Sequence, residues 1–160
     1  MIVVSDTTPL RYLAVLGYLE LLPRLFGQVY CPGIVLQECC HPRAPEVLRR
    51  WAQAPPEWLL VDDSGEMAPG LLEALDAGEA AAITLALRLH AKLILIDGKD
   101  GRHCAQARGF ATAGTLNILA QAGIQGWLDY PATAERLKNQ TNFRTTQAVI
   151  DAAWQAVQAT

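Results

Sequence analysis

The most constraining feature of the sequence is a short run with no polar residue, Leu93-Ile-Leu-Ile, that ends on Asp97 and passes at once into Gly98-Lys-Asp-Gly. Four apolar residues without alternation read as a strand covered on both faces, which is the signature of a parallel sheet. A carboxylate placed where such a strand leaves the sheet faces the crevice in which open α/β folds bind their ligands. The chain has a second run of the same shape, Ile2-Val-Val-Ser, ending on Asp6. Two strands that end on aspartates and share one crevice are the frame for everything else.

The remaining elements fit around that frame. Residues 7–16 read as a helix with Pro9 in its first turn and an apolar stripe of Leu10, Leu13, Ala14 and Leu16. A short helix beginning at 18 is expected to be limited in length by Pro23 and Gly27. Further strands are expected at 29–31, at 58–61 on a sheet edge, and at 109–113. Helices are expected at 33–40, 44–53, 70–75, 76–90, 101–108, 115–122 and 132–139. A final helix carries Val149, Ile150, Ala153, Trp154 and Val157 on one face. The alternation of strands and helices gives an α/β chain with a central, mainly parallel sheet of four or five strands flanked by helices. With 160 residues, one domain is expected.

Bulk properties exclude several classes. Hydrophobic residues at 51 % are too many for a disordered chain. The net charge of −3 argues against a generally basic coat for nucleic acid, although a local basic rim is compatible with it. Met1 is followed directly by an apolar strand without a basic stretch, so no secretory signal is expected, and no apolar segment is long enough to span a bilayer. The cysteines, Cys31, Cys39, Cys40 and Cys104, form no CxxC pair, and reduced thiols in a cytoplasm are expected.

Four carboxylates are candidates for chemistry, and each has a structural competitor. Asp6 also suits a cap at the start of the first helix. Glu38 sits in an apolar helical segment but would serve equally as a solvated position. Glu79 completes the spacing of a capping box with Asp76. Asp97 precedes a glycine, as turn aspartates do. Asp100 reads as a loop residue, and Asp62 and Asp63 form a decoy pair after an edge strand. Several carboxylates in one crevice suit a hard cation such as Mg²⁺ or Mn²⁺, which takes oxygen ligands and docks onto phosphates. No nucleophile elbow or P-loop competes, and His41, His90 and His103 are far apart in the sequence. An aspartate-dependent phosphatase would need an acidic residue two after Asp6, where Thr8 stands.

The ordered set Ser5-Asp-Thr-Thr-Pro-Leu10, Glu38, Leu75-Asp-Ala-Gly-Glu-Ala-Ala-Ala-Ile83, Leu95-Ile-Asp97, Gly101-Arg102 and Gly114-Thr-Leu116 resembles the PIN domain. More narrowly it is similar to the nucleic-acid-binding subfamily close to VapC-type toxins. The resemblance implies a PIN-like α/β/α sandwich over about 1–125, followed by a helical extension over about 126–160. It implies a Mg²⁺- or Mn²⁺-dependent endoribonuclease, often the toxin of a type II toxin–antitoxin pair, with Asp6, Glu38, Glu79 and Asp97 as catalytic, metal-holding residues. Thr7 and Thr115 fall at supporting positions, and Asp100 is a further candidate helper. Where the subfamily often carries a second aspartate after Asp97 this chain has Gly98, and where it often carries a glycine after Gly-Thr-Leu it has Asn117. On this reading the ions activate a water for in-line attack on an RNA phosphodiester. Lys99 and Arg102 lie at the mouth as phosphate contacts, with solvated surface cations as the competing reading. The partners expected are RNA, an antitoxin and a second copy of the chain, because the apolar face bearing Trp154 must be covered by the domain, a twin or an antitoxin. The competing function is a catalytically inactive PIN module that binds RNA or a protein.

Overall fold

A computed structural model describes residues 1–63 and 65–159; Ser64 and Thr160 lie outside the described residues. In chain order the elements are β1 (Val3–Ser5), α1 (Thr7–Leu16), α2 (Leu21–Phe26), β2 (Val29–Cys31), α3 (Gly33–Cys39), α4 (Glu46–Gln53), β3 (Leu59–Val61), α5 (Ala77–Leu89), β4 (Leu93–Leu95), α6 (Lys99–Ala107), β5 (Ala111–Ala113), α7 (Thr115–Ile124), α8 (Tyr130–Gln140) and α9 (Gln147–Gln158). The strands form one sheet in the order β3-β2-β1-β4-β5, and every pairing is parallel.

The unalternating apolar strands are explained by cover on both faces. Val3 and Leu95 face a cluster built with Leu10, Leu13, Val35 and Leu119. Val4, Ile94 and Ile96 face a second cluster with Ile83, Ala86 and Ala105 of α5 and α6. Both sets are fully buried, so the runs have no solvent face to carry an alternating polar residue.

The order of strands fixes the site. The chain moves from β1 outward through β2 to β3, then α5 carries it back to β4 on the other side of β1. The direction of winding reverses between β1 and β4, and ligands bind in the crevice at such a switch point. Ser5 pairs with Leu95 in register, and the Asp6 N–H donates to the Leu95 carbonyl at 2.9 Å. Asp6 and Asp97 therefore leave the sheet from neighbouring strands.

Some boundaries differ from the sequence reading. α2 runs through Pro23 because proline is its third residue, where the missing N–H has no partner in the helix. Residues 70–75 make turns and not a helix: Gly70 is left-handed, and the Ala74 and Leu75 N–H groups both converge on the Leu71 carbonyl. α6 starts two residues early, at Lys99. The final helices pack onto the same core as the rest. Ile150, Ala153 and Val157 bury among α7 residues, the Tyr130 hydroxyl donates to the Ile150 carbonyl at 2.7 Å, and Trp154 stacks on Tyr130 at 5.3 Å. The domain itself thus covers most of that face, and Val149 stays exposed.

Candidate active site

Asp6 closes β1 and stands at the cap position of α1, yet its side chain makes no capping bond. It is 3 % exposed. Its carboxyl is raised to about 8, chiefly by burial and in smaller part by the charges of Asp76, Glu79 and Glu38, against the opposing Thr7 backbone N–H. The helix-entry reading of Asp6 thus gives way to a buried carboxyl in an acidic group.

Glu38 reaches that group from α3. Its Oε2 accepts from the Thr7 hydroxyl at 3.0 Å, and its Oε1 lies so close over Gly78 that a Cβ there would push the Glu38 carboxylate aside. Burial raises its carboxyl, the Thr7 hydrogen bond opposes, and Asp76 adds to the rise. Glu79 arrives from the first turn of α5 and keeps its capping box: Asp76 N–H donates to Glu79 Oε1 at 3.3 Å, and Glu79 N–H to Asp76 Oδ1 at 2.8 Å. Its other oxygen turns toward α6, against Gly98 and 2.9 Å from a Cβ built at Gly101. Burial raises it first, then the Asp76 charge, with Asp100 contributing. Both roles weighed for Glu79 therefore coexist in one side chain.

Asp97 is placed differently. Its two oxygens accept from the backbone N–H and the hydroxyl of Thr115, each at 2.7 Å. Thr115 is fully buried and opens α7. Burial raises the Asp97 carboxyl, while the two Thr115 bonds and the Arg102 charge lower it. The turn reading before Gly98 is superseded by this clamp. Gly114 is glycine because a Cβ there would lie 2.7 Å from Asp97 Oδ1. Asn117 Oδ1 accepts from the Gly114 N–H at 2.9 Å, so the residue that departs from the subfamily pattern braces the turn that holds Asp97.

Gly98, the other departure, is occupied space: the Glu79 carboxylate lies where a side chain at 98 would begin. Asp100 is exposed on α6 and touches the group only through its charge on Glu79. Lys99 and Arg102 border a cavity of about 240 Å³ with Asp97 and His103. Asp62 and Asp63 stay outside the crevice. Asp62 pairs with Arg88 at 2.7 Å, and Asp63 Oδ1 accepts from the Gly33 N–H at 2.9 Å, at the start of α3. Cys31 and Cys39 are buried thiols pushed up to about 12, chiefly by burial, so they stay protonated.

Sequence reasoning missed Asp76 as an electrostatic member of the group, since its spacing to Glu79 signalled only a cap. It also missed the 142–145 loop, which reaches the Asp97 side of the crevice from more than forty residues away in sequence. The Tyr12 hydroxyl donates to Asn142 Oδ1 at 2.7 Å, and Asp97 in turn raises the Tyr12 phenol, behind the larger effect of burial.

The donor set fits a hard divalent cation. Every donor is a carboxylate oxygen, Glu38 Oε1 and Glu79 Oε2 accept no hydrogen bond among the described residues, and neither ion pair found there, Arg50–Glu46 or Arg88–Asp62, involves this group. Among the described residues no group of three or more His, Cys, Asp or Glu side chains is drawn together as a ready metal site, so the fit rests on the chemistry of the donors.

Comparison with known proteins agrees with this fold. The chain is similar in structure to a PilT N-terminus domain protein from the hyperthermophilic archaeon Sulfolobus solfataricus P2, with a TM-score of 0.54 at 17 % identity, over 76 % of this chain and 93 % of that one. No curated protein matches the sequence. A PIN domain family profile (DUF3368) matches residues 2–159, the C-terminal helices included. With its parallel sheet, its acidic crevice between β1 and β4 and a match along nearly its whole length, the chain belongs to the PIN domain family, whose fold is that of a nuclease.

Proposed function

We propose that this protein is a divalent-metal-dependent endoribonuclease acting as the toxin of a type II toxin–antitoxin pair. The observation that carries the catalytic part is the unneutralised acidic group at the switch point: Glu38, Glu79 and Asp76 raise Asp6, Asp76 raises Glu38 and Glu79, and neither ion pair among the described residues involves them. Such a group is stable in its charged form only with a cation beside it. Asp6, Glu38, Glu79 and Asp97 are the residues that would hold Mg²⁺ or Mn²⁺, and the ion would supply Lewis acidity and a water of lowered pKa. Thr7 and Thr115 orient two of those carboxylates, and Arg102 offers charge to a phosphate beside Asp97. RNA as substrate, the toxin role and an antitoxin partner rest on the motif order shared with VapC-type proteins.

Asp97→Asn tests both parts. The variant should fold, lose metal-dependent cleavage of single-stranded RNA by at least about 100-fold (on the order of 3 kcal/mol of transition-state stabilisation), and no longer arrest growth when expressed without its partner. Retained cleavage by the folded variant would sink the assignment. A homodimer completes the reading; sedimentation showing only monomer overturns it. The inactive-module alternative draws on Gly98 and on the acidic net charge; the Glu79 carboxylate lies against that glycine, which supports a place for it beside the acidic site.

A further inference from the structure

The loop between α8 and α9 crosses back over α1. It is fastened there by the Tyr12–Asn142 hydrogen bond and by the rings of Tyr12 and Phe143, which meet edge to face at 5.0 Å. This fastening sets Phe143 and Arg144 on one wall of a cavity of about 370 Å³, with Asp97, Arg102 and Asn117 on the other. Arg144 is exposed and has no ion-pair partner among the described residues. Arg102 Nε is buried without a hydrogen-bond partner. Two guanidinium groups that form no ion pair among the described residues, and an aromatic ring, thus share one cavity with a carboxylate of the acidic crevice. Guanidinium forks suit phosphate oxygens, and rings beside them suit unstacked bases.

We propose that this cavity is a nucleotide subsite: Arg102 and Arg144 grip the phosphate next to the one that is cleaved, and Phe143 takes the adjoining base. Single-stranded nucleic acid then runs from the acidic crevice across α7 toward α9. The subsite rests on the nuclease reading and gives it a direction along the substrate. It also gives the C-terminal helices a function, because the loop they carry supplies one wall.

The test is fluorescence anisotropy with a short labelled phosphorothioate oligouridylate, in Mg²⁺, over a series of salt concentrations, alongside cleavage of the unmodified strand. Arg144→Ala should weaken binding about tenfold and reduce the slope of log affinity against log salt by about one. Arg144→Lys should restore the slope. Phe143→Leu should weaken binding severalfold with the slope unchanged, and Arg50→Ala, on α4, should change nothing. Unchanged affinity and slope in Arg144→Ala, with cleavage intact in the wild type, overturns the subsite and leaves the nuclease reading standing. Arg144-dependent binding by a wild type that does not cleave keeps the subsite and removes the nuclease. A wild type that neither binds nor cleaves overturns both. An oligoglutamate peptide that binds as tightly as the oligouridylate, and depends equally on Arg144, overturns the nucleic-acid assignment in favour of an acidic protein segment.

Discussion

Asp6 sets the energetics of the site. Its folded pKa of about 8 lies above the ordinary 3.8, so between those values the folded chain holds a proton that the unfolded chain has released. The Asp6 contribution to stability is therefore fully present below the ordinary value and is lost as pH rises through about 8. In divalent-free buffer the melting temperature of the wild type should fall across that window, and Asp6→Asn should flatten the fall. At pH 8 the variant should melt roughly 5 °C above the wild type while being inactive. Thermal melts at a series of pH values decide this, and an unchanged pH dependence in the variant would place the strain elsewhere. A residue that costs stability until its ligand arrives is the ordinary signature of a binding site.

At the scale of elements, the site depends on how closely α5 and α6 approach. Glu79 belongs to the first turn of α5 and its free oxygen rests against Gly98 and Gly101 at the start of α6. Gly98 has φ −59°, so its need is for space and not for a left-handed backbone. Gly98→Ala should accordingly leave the backbone in place and push the Glu79 carboxylate aside. We expect a stability change within about 1 kcal/mol by urea unfolding and a loss of cleavage of about tenfold (~1.4 kcal/mol). Wild-type activity in Gly98→Ala would mean that Glu79 works from another position. The same close approach explains why this helix start was readable as a capping box in the sequence while its second role was not. The cap is a contact three residues apart, whereas the contact with α6 joins residues about twenty apart.

For the molecule as a whole, the acidic crevice and the cation are linked quantities. Mn²⁺ at about 100 times its dissociation constant should stabilise the fold by about 2.7 kcal/mol, or about 5–10 °C in melting temperature. The shift should grow as pH rises toward 8, because binding must displace the Asp6 proton. A melting temperature indifferent to Mn²⁺ at every pH would count against the metal site itself. The sequence alone determined the strands, the parallel sheet, the starts of α1, α3, α5 and α7 and the order of the four carboxylates, because periodicity, caps and apolar runs are local. Only the tertiary structure decided which carboxylates share a field. It joined Asp76 to Asp6, Glu38 and Glu79, turned Asp97 onto Thr115, and sent Asp62 and Asp63 to structural duties on Arg88 and Gly33. It also folded α8 and α9 back onto α7, covering most of a face that had signalled a partner and placing Arg144 on the same cavity as Asp97. Those outcomes depend on strand order and on helix packing across the sheet, and no local spacing encodes them. The Leu93–Ile96 run fixed where a carboxylate leaves the sheet, and the return of the chain through α5 to the other side of β1 decided which carboxylates it meets there.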